Sequence, residues 1–279
     1  MLFGAAIQES DLNYVYNLQY YGSKTKPPSS WVVIPGEADV SKLPSGLVGY
    51  WPLDGDGVVQ EGTGAHSVPE ASGSGLVGDP CPDSLCAAHA TGRAEWTAGK
   101  YGFSLNLAGA GGIVIPDVNG QLDAIGVAVS MVAWVRPTSY DNCGDHGVIM
   151  NKENHFEMGI ESNVGALQAA GAACWRWWGN ARLTRFEWSN IAVTFDGTDE
   201  KHFIDGMQVE ATACGADRVA GDTDLALRIG ARSGNRNAHV SAVQGATWAH
   251  FTGDIDEVRR LFARISIFKT HRELFENAS

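Results

Sequence analysis

Two short acidic motifs are the sharpest chemical feature of this sequence: Asp54 and Asp56 in WPLDGDG, and Asp254 and Asp256 in TGDIDEV. Calcium takes about six to eight oxygen ligands from carboxylates and backbone carbonyls, and glycines beside both motifs let the backbone approach closely. Carboxylates of this kind suit a structural Ca2+ ion, although neither motif matches an EF-hand loop. Short acidic side chains also cap turns by accepting backbone N–H groups, which is the competing use of the same residues.

A second cluster, CWRWWGNARL, joins Trp175, Trp177 and Trp178 to Arg176, Asn180 and Arg182. Flat apolar faces beside directional donors are the equipment for gripping a sugar ring. In a strand, Trp175 and Trp177 share one face and Trp178 takes the other, so the three do different jobs, and the same-face pair is also good core material. The run NKENHFEMGIE sets Glu153, His155, Glu157 and Glu161 at alternating positions, with Lys152 and Asn154 opposite, and offers acceptors to a polyol. The polar stretch GARSGNRNAHVSAVQGATWAHF, with Arg232, Asn235, Arg236 and Trp248, could rim a binding site. The eight histidines include no HExxH pair, and no serine sits in a GxSxG elbow, so zinc-protease and serine-hydrolase chemistry have no motif here.

Five cysteines form neither a zinc-knuckle spacing nor a CxxC motif. Cys81 and Cys86 bracket CPDSLC, a loop that a disulfide can close. An oxidising compartment would permit a second bridge among Cys143, Cys174 and Cys214.

Bulk properties narrow the partners. With 20 basic against 32 acidic residues the formal charge is −12, so there is no diffuse positive field to collect phosphate backbones, and nucleic acid is not expected. No apolar stretch approaches the ~20 residues of a membrane-spanning helix, which argues against membrane insertion. The opening also lacks a basic segment followed by a long apolar one, so either a leader has been trimmed or delivery follows another route, such as assembly into a particle.

The elements that must position these residues are strands. Thirty-four glycines and nine tryptophans point to many tight turns between short aromatic-bearing strands. Residues 1–45 read as an arm, with Tyr14, Tyr16, Tyr20 and Tyr21 available to dock on a neighbouring subunit in self-assembly, and residues 46–279 as one domain. Strands are expected at GLVGYWPL, SLNLAG, GIVIP, VAVSMVAWVRP, GVIMNKEN, HFEMGIES, ALQAAGAACWRWW, SNIAVTFDG, KHFIDGMQV, LALRIGA and DEVRRLFARI. Residues 57–100 read as one long loop, and KTHRELFENAS as a short helix capped by Thr270. Asp-Gly at 196–197 and at 205–206 predicts two consecutive hairpins. Met131, Ala133 and Val135 alternate with Val132, Trp134 and Arg136; both sets are partly apolar, as in a strand covered on both sides. The fold class is all-β, a two-sheet antiparallel sandwich.

In this order, GLVGYWPLDGDG, YGFSLNLAGAGGIVIP, VSMVAWVRP, WSNIAVTFDGTDEKHFIDGMQV and FTGDIDEVRRLFARISI resemble the laminin-G-like, concanavalin A-like jelly rolls, over roughly residues 46–265. GVIMNKENHFEMGIE and CWRWW are most similar to bacterial and phage-borne surface members. The resemblance implies adjacent first and last strands, which would bring the four aspartates together. It also implies a concave sheet face that takes ligands. The enzymes of this superfold that cut β-glucans carry E-x-D-x-x-E or E-x-D-x-E on a strand, and no such stretch occurs here. The expectation is therefore a non-catalytic extracellular, cell-surface or particle-surface module that binds carbohydrate or another surface polymer, with calcium as support. A filament, pilus-like or virion-surface assembly subunit displaying a lectin-like domain is the alternative, and a glycoside hydrolase comes third.

Overall fold

The computed structural model describes residues 47–53, 79–80, 95–108, 112–115, 117, 122, 129–141, 146–171, 174, 179–214, 225–233 and 247–261. All regular structure among them is strand. An eight-stranded antiparallel sheet runs in the order β12 (Met207–Ala213), β11 (Asp199–Ile204), β10 (Ser189–Phe195), β6 (Val129–Pro137), β16 (Thr252–Leu261), β4 (Phe103–Ala108) and β3 (Glu95–Ala98), with β1 (Leu47–Trp51) on β16. A six-stranded sheet runs β2 (Asp79–Pro80), β5 (Ile113–Ile115), β13 (Leu227–Ile229), β7 (His146–Lys152), β8 (Phe156–Glu161) and β9 (Leu167–Gly171). A third, small ladder pairs β14 (Arg232–Ser233) with β15 (Thr247–Trp248). The first and last described strands pair, Trp51 opposite Val258. The 1–45 arm, Cys81, Cys86, Cys143 and KTHRELFENAS lie outside the described residues.

Alternation places the core between the large sheets. On β10, Ile191, Val193 and Phe195 point inward and pair with Ala133, Met131 and Val129 of β6. Ile255 of β16 and Leu105 of β4 continue the layer, and Phe156, Met158, Ile160, Leu227 and Ile229 meet it from the other sheet. Each fully buried Ile or Phe contributes about 1.5–3 kcal/mol of transfer free energy. Val132 and Trp134 face outward, yet both are only 1% exposed. Lys100 Nζ lies 4.4 Å over the Trp134 ring, and Tyr101 meets it edge-on at 6.0 Å between centroids. β6 is thus covered on both sides, which is why its sequence shows no clean alternation.

Two expectations need correction. ALQAAGAACWRWW is not one strand: β9 stops at Gly171, where Gly171 and Cys174 exchange both backbone hydrogen bonds, at 2.9 and 2.7 Å. The chain then returns along β9, Leu167 N donating to Ala181 O at 2.8 Å. Only Ala172 and Ala173 separate the paired residues, so no turn-forming type marks the reversal. Residues 57–100 are not one loop either, since β2 and β3 lie within them; β3 is EWTA, too short and too mixed to show a period.

Both Asp-Gly hairpins form. Gly197 takes φ 92°, and Asp205 and Gly206 take 51° and 79°, the left-handed pair a tight hairpin requires. Gly230, after β13, sits at φ +86°, and a Cβ there would meet Leu107 Cδ1 at 2.1 Å. That glycine lets the chain leave β13 and enter β14, which brings Arg232 back over the six-stranded sheet.

Candidate functional site

The outer face of the six-stranded sheet is polar and almost wholly buried. Strand register sets one row across it: Val114 opposite Arg228, Arg228 opposite Asn151, Asn151 opposite Glu157, and Glu157 opposite Ala170. Leu227 and Ile229 point into the core, so Arg228 between them points out. Phe156 and Met158 fix Glu157 outward in the same way.

Arg232, at the start of β14, closes on this row. Its Nε and Nη2 each donate to one oxygen of Glu153, both at 2.8 Å, a bidentate pair. Arg232 Nε is also 3.5 Å from Glu157 Oε2. Asn151 Nδ2 donates to Glu157 Oε2 at 2.6 Å, and His146 Nε2 stands 2.7 Å from Glu157 Oε1. Glu153 reaches Arg232 because it lies in the turn between β7 and β8, closed by His155 N donating to Lys152 O at 2.9 Å, with Asn154 at φ 63°. Asparagine tolerates that left-handed conformation better than most residues.

The two arginines differ electrostatically. Burial by itself lowers the Arg232 guanidinium, but the hydrogen bonds it donates to Glu153 and the charges of Glu157 and Glu153 outweigh it and hold it above the ordinary arginine value. At Arg228 burial dominates and the charge of Glu153 offsets it only in part, so the group sits below that value. Among the described residues Arg228 makes one hydrogen bond, Nη1 to Ala226 O at 3.5 Å.

The sequence-derived residues are distributed as follows. Glu153 and His155 occupy the β7–β8 turn rather than strand positions alternating with Glu157, and both are buried rather than set on an open face. Lys152 faces the sandwich interior, where Nζ donates to Asp117 Oδ2 at 2.9 Å and Leu225 O at 2.7 Å. Asn180 and Arg182 are exposed on the returning segment, and Asn180 N donates to Glu210 Oε2 at 2.9 Å. Asp54, Asp56, Trp175, Arg176 and Trp177 lie outside the described residues.

Asp254 and Asp256 lie on the outer face of the eight-stranded sheet, each 0% exposed. Asp254 Oδ1 accepts from Thr97 Oγ1 at 3.0 Å and Asn106 Nδ2 at 2.8 Å, and its Oδ2 accepts from Arg136 Nε at 2.8 Å. Asp256 Oδ2 accepts from the backbone N–H groups of Lys100 and Tyr101, at 2.8 and 3.0 Å. These partners are donors, which suit a carboxylate; a cation at Asp254 would have to displace the Arg136 guanidinium. Among the described residues no group of three or more His, Cys, Asp or Glu side chains is arranged to hold a metal.

One disulfide is described, Cys174–Cys214, with Cα atoms 5.1 Å apart, and it joins the returning segment after β9 to the end of β12. Sequence reading missed Arg228, Asn151 and His146. The available signal was a lone arginine in LALRIGA, a charge at the outward position of an otherwise apolar strand.

Residues 107–262 match the model of the concanavalin A-like lectin/glucanases superfamily. No match was found among curated proteins. Among solved structures the chain is similar to domain 4 of AbnA, a GH43 extracellular arabinanase from Geobacillus stearothermophilus, in complex with arabinotriose. That likeness has TM-score 0.52 and 16% identity, over 78% of this chain and 93% of that one. It is also similar to the binding domain of Paraclostridial Mosquitocidal Protein 1, with TM-score 0.51 and 12% identity over 79% of this chain and 49% of that one. The binding domain of Botulinum neurotoxin DC in complex with rat synaptotagmin II gives 0.50 and 10%, over 71% and 46%. At such identities these likenesses are ones of fold. With two antiparallel sheets in this order and more than half of its length matched by the family, the chain belongs to the concanavalin A-like lectin/glucanases superfamily.

Proposed function

We propose that this chain is a non-catalytic surface module that binds carbohydrate on the outer face of its six-stranded sheet. The observation that carries the reading is the buried row of donors and acceptors formed by Arg228, Asn151, Glu157, His146, Glu153 and Arg232. Charged groups are rarely buried unless paired, and a sheet face furnished with them in place of apolar residues is equipment for polar recognition. The arabinanase domain of the same fold is a complex with arabinotriose, and the two toxin domains are binding domains, which lends support by analogy of fold alone.

A binding role fits the carboxylates better than a catalytic one. Hydrolysis of a glycosidic bond needs one acid and one base or nucleophile directed at the same bond. Both oxygens of Glu153 accept from Arg232, and those of Glu157 face Asn151 and His146. The Cys174–Cys214 disulfide favours an extracellular or surface location, where such bonds persist. A structural calcium ion ligated through Asp54 and Asp56 belongs to the same proposal.

The test is a glycan array followed by titration calorimetry on the hits, with and without a calcium chelator, and a reducing-sugar assay on the same ligands. Saturable binding without released sugar is the expected result, with thermal stability lowered by the chelator. Product release would overturn the non-catalytic reading, and a blank array would overturn the glycan reading.

A further inference from the structure

Arg228 and Arg232 are both 6% exposed, yet they are provided for unequally. Arg232 is held by the two oxygens of Glu153. Arg228 has five N–H donors, as every guanidinium does, and among the described residues one contact, the 3.5 Å hydrogen bond to Ala226 O. Glu153 gives both its oxygens to Arg232, so it meets Arg228 through charge alone, which offsets burial only in part, and Glu157 Oε2 accepts from Asn151.

The neighbour of Arg228 in register is also incomplete. Asn151 is 2% exposed, and its Nδ2 donates to Glu157 Oε2 at 2.6 Å. A carboxylate oxygen needs a donor, which fixes the amide orientation and assigns the other end as the carbonyl. That carbonyl oxygen, Asn151 Oδ1, has no hydrogen-bond partner among the described residues. Residues opposite each other on neighbouring strands have Cβ atoms about 4.5–5.5 Å apart. A set of unused donors and one unused acceptor therefore belong to directly paired residues of neighbouring strands.

A neutral sugar would satisfy the amide with a hydroxyl and leave the guanidinium charge matched only in part, by Glu153. A carboxylate offers two coplanar oxygens that fit the guanidinium fork and neutralise it. Resting on the glycan-binding reading above, we propose that this row selects an acidic sugar, its carboxylate on Arg228 and an adjacent hydroxyl donating to Asn151 Oδ1. The amide and the guanidinium then lose their incompleteness together, and the ligand is a uronate-type residue of a polysaccharide.

The experiment is titration calorimetry of the full chain with trimers of galacturonate, mannuronate and glucuronate, each beside its carboxyl-reduced counterpart and beside a sulphated neutral trimer. At least one uronate should bind about tenfold or more tighter than its reduced form, the gain expected of hydrogen bonds to a charged group. That advantage should shrink in high salt. Arg228→Gln should erase it, and Asn151→Ala should weaken both forms. The wild-type comparison stands even if a variant fails to fold. Equal affinity for acidic and reduced sugars overturns the inference and leaves the glycan reading intact; preference for the sulphated trimer overturns the carboxylate assignment. No binding by any sugar, together with a blank array, overturns the proposed function and this inference with it.

Discussion

On the eight-stranded sheet, Asp254 draws its three donors from strands beside it or next to those: Arg136 on β6, Asn106 on β4 and Thr97 on β3. On the six-stranded sheet, Glu153 and Glu157 depend on Arg232, which belongs to a two-residue strand of another ladder. The first network follows from strand register, and any chain that forms the sheet forms it. The second needs the β7–β8 turn, the left-handed Gly230 and the entry into β14 to be placed together. Polar groups whose partners come from ordinary register are explained by the fold. The other network requires special backbone and still leaves Arg228 with one hydrogen bond and Asn151 Oδ1 with none among the described residues, which is the basis of the ligand proposed above.

The largest effect should come from breaking the second network. Arg232→Ala strands the Glu153 carboxylate, which is 1% exposed, and loss of one partner of a buried ion pair costs about 3–5 kcal/mol. Thermal melts should show a fall of about 10 °C for a domain of this size. The double variant Arg232→Met with Glu153→Met should recover part of that loss; if it is no more stable than Arg232→Ala, the pair is not the source of the cost.

Asp254→Asn should cost less, about 1–2 kcal/mol by denaturant titration, because Arg136 is one-third exposed and water replaces part of the lost interaction. A cost equal to that of Arg232→Ala would erase the distinction between the two faces. The half-buried Asp-Gly turn at 196–197 sets the floor. Burial raises Asp196, but the N–H groups of Asp199 and Thr198 and the charge of Lys201 outweigh it and hold the carboxyl below its usual range. A carboxyl depressed on folding stabilises above its unfolded pKa, and that contribution is lost as pH falls through the folded value, below about pH 4. Asp196→Asn should therefore change stability slightly at neutral pH and not at all near pH 2. Lys201→Ala, at a 3.4 Å surface pair, should shift stability by under about 0.5 kcal/mol.

Legibility in the sequence followed the same division. SNIAVTF and VSMVAWVRP announced central strands because branched and aromatic residues dominate them, and both Asp-Gly turns were found where left-handed backbone is required. Asp254 and Asp256 were singled out as calcium ligands together with Asp54 and Asp56, whereas the residues that meet Asp254, Thr97, Asn106 and Arg136, carry no motif. Glu153 and His155 were noticed for their spacing, which a turn through Asn154 then rearranged. Arg228 and Asn151 become neighbours through pairing between β13 and β7, which are 75 residues and more apart along the chain, and no local pattern encodes such pairing.

The Cys174–Cys214 bridge has a mechanical consequence. It spans a sequence separation of 40 residues, and β10, β11 and β12 all lie within that loop. Tension applied to the chain outside the loop passes through the sulfur–sulfur bond and cannot draw these three strands out lengthwise. At about 3.3–3.6 Å per extended residue, roughly 13–14 nm of contour is withheld from any stretching force and released only when the bridge is reduced. A surface protein under shear would yield elsewhere first, while that edge of the large sheet kept its length.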